Sequence, residues 1–576
     1  MDYGKRLASY VGGYKGYAIP GLIVMMVISA GRIVQPLILK GIIDRAVPAG
    51  DAPLLLRYAL AYMAIVVVVG ALTYYGNILM GKLGLSIVTR IKEDMFSHLL
   101  TLPVSYFDAH PVGELMSRTE NDTEKVRDLF SNLGVTFIVS VLSMAGMFIV
   151  TLSLAPVLAL VMLAVIVFFL AILLVFFNKL LGLYDASRSL YATILAKVTE
   201  FVQGMEIVRA FDRKGWAKAS LDSTGKEMRR TNVKISMFEY SAMSALDSLV
   251  GPLFIVALIL LYAPKVLEGG MSLGTLLLFF EYGAFLLRPV VEIAESIRRM
   301  QQAKVSLNRI MTIMSLPGEA GRRNVLEANF SAEISFENVW FAYKDEEWVL
   351  KDVSFTMPKG SLTAVVGPSG SGKSTTVNLL CGFYSPRKGR ITIDGTDLGR
   401  LNLESWRKKT GLVLQDIYLF PGSVLENVRV YNDAITEERV AQALHNVQAS
   451  VMVRALPGGM QANLWERGGN LSSGEKQLLA FARALAADPE LVILDEATSN
   501  IDMATEERIR RSLDVLLEGR TSLIVAHRLS SILEADQILY FSEGRIVARG
   551  KHSELFESLP EYRRLVEQQF LRKEAT

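Results

Sequence analysis

The chain has a single cysteine in 576 residues, Cys381, and only five histidines. One thiol excludes an internal disulfide and a cysteine-rich metal site, and five scattered imidazoles speak against a histidine metal centre. Cys381 follows a glycine-rich loop and its helix, and it reads as a small buried apolar residue. Net charge is nearly absent too: 61 basic against 58 acidic side chains leave +3, so nothing electrostatic favours nucleic acid as a partner. No A-x-A-like site closes the first apolar run, so no cleaved signal peptide is expected.

Apolar surface, by contrast, is abundant. Hydrophobic residues make up 51% of a chain that is also 21% charged, with a mean hydropathy of +0.32. At this length one ordinary soluble core does not suffice, and the apolar and polar parts should segregate into domains. Six stretches approach the roughly 20 apolar residues a bilayer crossing needs: 18–40, 55–79, 132–154, 156–177, 243–263 and 272–290. The fourth, Pro156 to Phe177, carries no charge. The two long connections, after the second and fourth spans, are polar and rich in Lys and Arg, which places them and both termini in the cytoplasm. If the spans continue as helix past the lipid, about 25 further residues add about 40 Å.

Proline and glycine interrupt both connections, at SYFDAHPVGELMSR (105–118) and FVQGMEIVRAFDRK (201–214), which fits either a short transverse helix or a solvated turn. Residues 1–17 hold Lys5, Arg6, Lys15 and four tyrosines, a pattern for an interfacial helix or a polar lead-in. Arg32, Gln35, Lys40, Asp247, Glu281 and Arg288 fall in or beside spans, where such groups line a cavity or pair with one another.

After Ile313 the hydrophobicity falls. Residues 315–332 read as a linker, and beyond it short apolar strands alternate with helices at Ile334–Phe336, Leu362–Val366, Gly411–Leu414, Leu491–Leu494 and Thr521–Val525. The expected fold is therefore multidomain. An all-α six-helix transmembrane domain (1–314) is followed, after the linker, by an α/β P-loop nucleotide-binding domain (333–576).

VVGPSGSGKSTT, Val365 to Thr376, fits the spacing G-x-x-x-x-G-K-[ST]. Gly367, Gly370 and Gly372 let backbone N–H groups turn inward around phosphate oxygens at a helix start, with Ser369, Ser371 and Thr375 in the same cradle. Lys373 would reach the β and γ phosphates, and Ser374 would hold Mg²⁺. At 491–496 stands LVILDE, an apolar strand ending in two carboxylates. Asp495 suits Mg²⁺ through water, and Glu496 is placed to polarise the water that attacks the γ phosphate.

Upstream of that strand lies NLSSGEKQ, Asn470 to Gln477, running into LLAFARALAADPE. With these motifs in order, essentially the whole chain resembles an ABC half-transporter of the exporter type, six membrane helices fused to one ABC ATPase domain. The resemblance implies ATP and Mg²⁺ as cofactors, and it implies residue roles. Tyr343 in VWFAYKD would stack on adenine. Gln415 in GLVLQD would sense Mg²⁺ and the γ phosphate. Leu471 to Glu475, including Ser472, Ser473 and Gly474, would be the signature that closes over nucleotide held by the opposite subunit. SNID, Ser499 to Asp502, matches the D-loop, and His527 in IVAHRLS would contact the γ phosphate. Glu466-Arg467-Gly468 resembles the segment that touches the coupling loops, and 105–118 and 201–214 resemble those loops.

The implied partners are a second half-transporter, the lipid bilayer and a small amphipathic substrate, with no nucleic acid. The implied location is a bacterial inner membrane, crossed several times. One departure matters: the usual LSGGQ reads LSSGE here. Ser473 adds a side chain where backbone approaches phosphate, and Glu475 adds negative charge beside a polyanion. An intact phosphate loop and base beside an altered signature favour a heterodimer over a homodimer. The resemblance favours alternating-access export of drugs, lipids or peptides. Import on the same scaffold, for example of a metal-chelate, and an ATP-gated channel or regulatory membrane protein are the alternatives, because fold does not fix function.

Overall fold

The computed structural model describes residues 9–245, 251–285, 287–319, 326–495, 503–526 and 533–574. Contacts divide the chain into two units. One comprises Met1–Leu100 and Val112–Leu316, the other Thr101–Pro111 and Pro317–Thr576.

The first unit is built of helices, and the expected spans fall on them: Lys15–Gly41, Ala52–Leu99, Gly134–Leu154, Pro156–Gln203, Gly251–Leu267, and the pair Leu273–Ala284 and Leu287–Met314. Residues 246–250, Asp247 among them, lie outside the described residues. Among the described residues, Lys15–Ala49, Ala52–Leu99 and Val112–Leu154 are long and apolar enough to cross a membrane, and Pro156–Phe168 and Phe254–Leu267 are shorter apolar stretches.

Ala52–Leu99 shows why one helix can serve two media. Its most apolar stretch has no buried residue, as lipid exposure requires. Further on, Leu79, Leu83, Ile87, Ile91, Met95 and Leu99 recur every four residues and form one buried stripe. At 48 residues it rises about 72 Å, more than twice the about 30 Å of bilayer hydrocarbon, and Pro156–Gln203 has the same length.

Where proline and glycine interrupt the pattern the helices do break, into Val104–Ala109 and Val112–Ser117 around Pro111, and into Met205–Ala210 after Gly204. Of the polar groups expected in spans, Gln35 donates to the Tyr62 hydroxyl at 2.8 Å and Arg288 pairs with Glu292 at 3.0 Å. The first joins two helices, Lys15–Gly41 and Ala52–Leu99, and the second lies within Leu287–Met314. The Asp44 carboxylate accepts from the Gly274 N–H at 2.7 Å and the Ser272 hydroxyl at 2.6 Å, so the turn after the first helix holds the start of Leu273–Ala284.

The second unit contains strands β1 (Glu333–Ala342), β2 (Trp348–Pro358), β3 (Leu362–Val366), β4 (Lys388–Ile393), β5 (Thr396–Asp397), β6 (Thr410–Val413), β7 (Gly422–Ser423), β8 (Asn463–Leu464), β9 (Leu491–Asp495), β10 (Thr521–Val525), β11 (Gln537–Ser542) and β12 (Arg545–Gly550). The larger sheet runs β12-β11-β3-β10-β9-β6, parallel from β11 to β6 with β12 antiparallel at the edge. An antiparallel sheet runs β2-β1-β4-β5, and β7 pairs with β8.

The parallel strands are mostly apolar because both faces are covered, with Thr363, Thr521 and Ser522 as buried polar exceptions. Ala364, Val366, Val492, Leu494 and Ile524 point into one core, shared with the helix Ser473–Ala486. Val365, Leu491, Ile493, Leu523 and Val525 point into the other, shared with the antiparallel sheet. That second core also takes Ala328 and Phe330, from the stretch read as a linker, with Phe330 edge-on to the buried Trp406.

Candidate active site

β3 runs directly into the glycine-rich loop. Gly367 (φ +147°) and Gly372 (φ +104°) adopt conformations that side chains resist. A Cβ on Gly367 would run into the Phe541 carbonyl oxygen, and one on Gly372 would lie 2.5 Å from Leu350 Cδ2. The loop can therefore lie this close to β2 and β11 only with glycine at both places. Helix Lys373–Leu380 then begins with no side-chain cap, so its leading N–H groups remain for an anion.

Lys373 is buried, and its ammonium donates to the Gly367 and Pro368 carbonyls at 2.9 and 2.8 Å. Burial lowers its pKa, and the nearby Asp495 carboxylate pulls the other way. Among the described residues the buried Ser371 hydroxyl has no hydrogen-bond partner, while Ser369, Gly370 and Ser374 are exposed. A buried cation, an orphaned hydroxyl and uncapped N–H groups are a donor set that fits a polyphosphate. The Ser374 hydroxyl, the Asp495 carboxylate and the Gln415 amide are hard oxygen ligands of the kind Mg²⁺ takes.

Sheet order gathers these groups. Lys373 follows β3, Asp495 ends β9, and exposed Gln415 stands two residues past β6, all at the C-terminal ends of parallel strands, where open α/β sheets bind ligands. Tyr343, just past β1 and 43% exposed, donates its hydroxyl to Thr375 Oγ1 at 3.2 Å and accepts from Asn378 Nδ2 at 3.3 Å. The aromatic read as a base platform is thus fastened to the helix of the phosphate loop. Glu496, Asp502 with the rest of Ser499–Asp502, and His527 lie outside the described residues.

Ser472 caps helix Ser473–Ala486 in a capping box with Glu475. One Glu475 carboxylate oxygen accepts from both the N–H and the hydroxyl of Ser472, at 2.8 and 2.9 Å, and the Glu475 N–H donates back to that hydroxyl at 3.3 Å. Ser472 and Ser473 are exposed and Gly474 is buried. At the far end of that helix Arg483 donates to the Asn427 and Tyr418 carbonyls, fixing the chain beyond Gln415; burial lowers its pKa. Glu466–Gly468 is a single turn with Arg467 in the left-handed region.

Cys381 is buried, and desolvation pushes its thiol up to about 12, so it packs as an apolar residue. Sequence reasoning passed over Asn378 and Tyr384. The first is an ordinary helical amide, and the only signal for the second is a pair of aromatics, Phe383 and Tyr384, directly after the phosphate-loop helix.

The family model described as the ABC transporter transmembrane region matches residues 19–290, and that described as ABC transporter matches 350–499. A probable multidrug resistance ABC transporter ATP-binding/permease protein of Bacillus subtilis is 37% identical over 494 residues, 84% of this chain and 72% of that protein. The chain belongs to the ABC transporters. A fatty acid ABC transporter ATP-binding/permease protein of Mycobacterium tuberculosis is 32% identical over 468 residues, 81% of this chain and 74% of the other. The structure of a bacterial Atm1-family ABC exporter with ATP bound shares the fold, with a TM-score of 0.81 at 24% identity, covering 97% of this chain and 99% of that one.

This ABC transporter is thus a multi-pass inner-membrane protein of the exporter type, which couples hydrolysis of ATP, with Mg²⁺, to transport. Because the exporter fold carries one ATPase domain per chain, it acts as a dimer.

Proposed function

We propose that this chain is one half of a heterodimeric exporter of amphipathic molecules and that it supplies the hydrolytic site. The observation that carries this reading is the buried Lys373, after β3, facing the charge of Asp495 at the end of β9, two strands that flank β10 in an ATPase unit joined to apolar helices. Lys373 and the loop N–H groups bind phosphate, and Ser374, Asp495 and Gln415 hold Mg²⁺. Tyr343 carries the base, Glu496 polarises the attacking water, and His527 contacts the terminal phosphate. Bound Mg-ATP supplies the phosphoanhydride bond whose hydrolysis resets the transporter. Ser472 to Glu475 and Asp502 face nucleotide held by the partner. The negative charge at Glu475 makes that second site the weaker one and favours an unlike partner with the ordinary signature. Amphipathic cargo is supported by relatives named for multidrug resistance and for fatty acids.

Glu496→Gln tests the hydrolytic assignment. In the purified complex we expect steady-state ATPase activity to fall at least a hundredfold while nucleotide binding stays within about twofold, since removing a general base costs about 10²–10⁴ in rate. Retained turnover sinks the assignment.

A further inference from the structure

The loop after the phosphate-loop helix is held from several sides. Arg407 makes a two-pronged ion pair with Glu319, both contacts at 2.7 Å. The same guanidinium donates to the carbonyls of Cys381 at 3.1 Å and Gly382 at 3.2 Å, and it lies over the Phe383 ring. The Glu319 N–H in turn donates to the Thr101 carbonyl at 2.6 Å. One clamp therefore fixes both the 381–384 loop and the start of the 101–111 segment, far apart in sequence.

Tyr384 stands between the two. Its hydroxyl donates to Asp108, 276 residues away. Its ring meets Tyr343 edge-on, centroids 5.1 Å apart at 88°, and Phe341 at 5.5 Å; Phe341 meets Tyr343 at 4.8 Å and 87°. Three mutually edge-on rings pin one another, and Tyr343 is pinned again through its hydroxyl by Thr375 and Asn378. A ring held at its edge and its tip keeps its orientation while a face stays available for stacking. Burial and the Asp108 bond both hold the Tyr384 phenol above its ordinary pKa, so it stays a neutral donor across physiological pH.

We propose that Tyr384 and Asp108 are positioning residues of the nucleotide-base site, which hold the Tyr343 ring at the angle at which it receives the base. This rests on the reading of Tyr343 as the base platform. The two residues act on base affinity alone, because phosphate is held by the loop around Lys373.

The test measures ATPase KM and kcat, together with inhibition by ADP and by inorganic tripolyphosphate, on the full complex in lipid. Tyr384→Phe keeps the ring and loses the bond. We expect it to raise KM for ATP and Ki for ADP about three- to tenfold, with kcat and the tripolyphosphate Ki within twofold. Asp108→Ala should match it and Asp108→Asn, which keeps an acceptor, should lie closer to the parent. The double variant Tyr384→Phe with Asp108→Ala should be no worse than either single change. Unchanged ADP inhibition in both single variants overturns the proposal, as does tripolyphosphate affinity falling in step with ADP. Tyr343→Ala separates the premises: if it leaves KM for ATP unchanged the base platform itself is misassigned, whereas a large rise beside a silent Tyr384→Phe rejects only the positioning role.

Discussion

Glu475 puts a carboxylate where the family pattern has an amide, and it spends one oxygen on both donors of Ser472. Glutamine could make the same capping box, so what differs is charge. An anion at a helix N-terminus is worth about 0.3–1 kcal/mol, and Glu475 takes the place a phosphate would otherwise exploit. Glu475→Gln should accordingly raise nucleotide affinity at the site this signature completes by about two- to fivefold, read by nucleotide occlusion in the assembled complex. No gain, or a loss, would show that the carboxylate does not weaken that site. Lys373 illustrates the opposite economy: buried and bonded to two carbonyls, its charge is compensated among the described residues from a distance by Asp495, which leaves it ready for a polyanion.

Among whole elements, those with a strong periodic or positional signature were legible. β3, β9 and β10 stand out as short apolar runs because each is covered on both faces, and the phosphate loop stands out because its glycines are spaced by backbone geometry. The long helices were legible through their apolar stretches. The Asp44 tie to Leu273–Ala284 was not, because the residues it joins are 228 and 230 apart and each alone looks like a polar turn. Tyr384 and Asp108 escaped for the same reason, and Phe330 looked like linker because one buried residue makes no pattern. That tie can be checked by calorimetry in detergent. Asp44→Ala should destabilise the protein by about 1–3 kcal/mol, as expected when hydrogen bonds to a charged group are lost. Adding Ser272→Ala should cost less than the sum of the two single changes, since both remove one shared bond.

For the molecule as a whole, one ATPase unit per chain makes dimerisation a condition of function. The solubilised active species should have about twice the mass of the 63.7 kDa chain, measured by light scattering with the detergent subtracted. Full ATPase activity in a species of single-chain mass would contradict this, and the identity of the second chain in the active complex decides between like and unlike halves.

Residues 101–111 belong to the ATPase unit, although in the chain they join two helices of the other. An ATPase fragment cut from residue 317 onward would inherit the phosphate loop but leave Tyr384 without Asp108 and the 319 backbone without its Thr101 anchor. Nucleotide selectivity measured on such an excised engine would describe a differently braced pocket from that of the intact transporter.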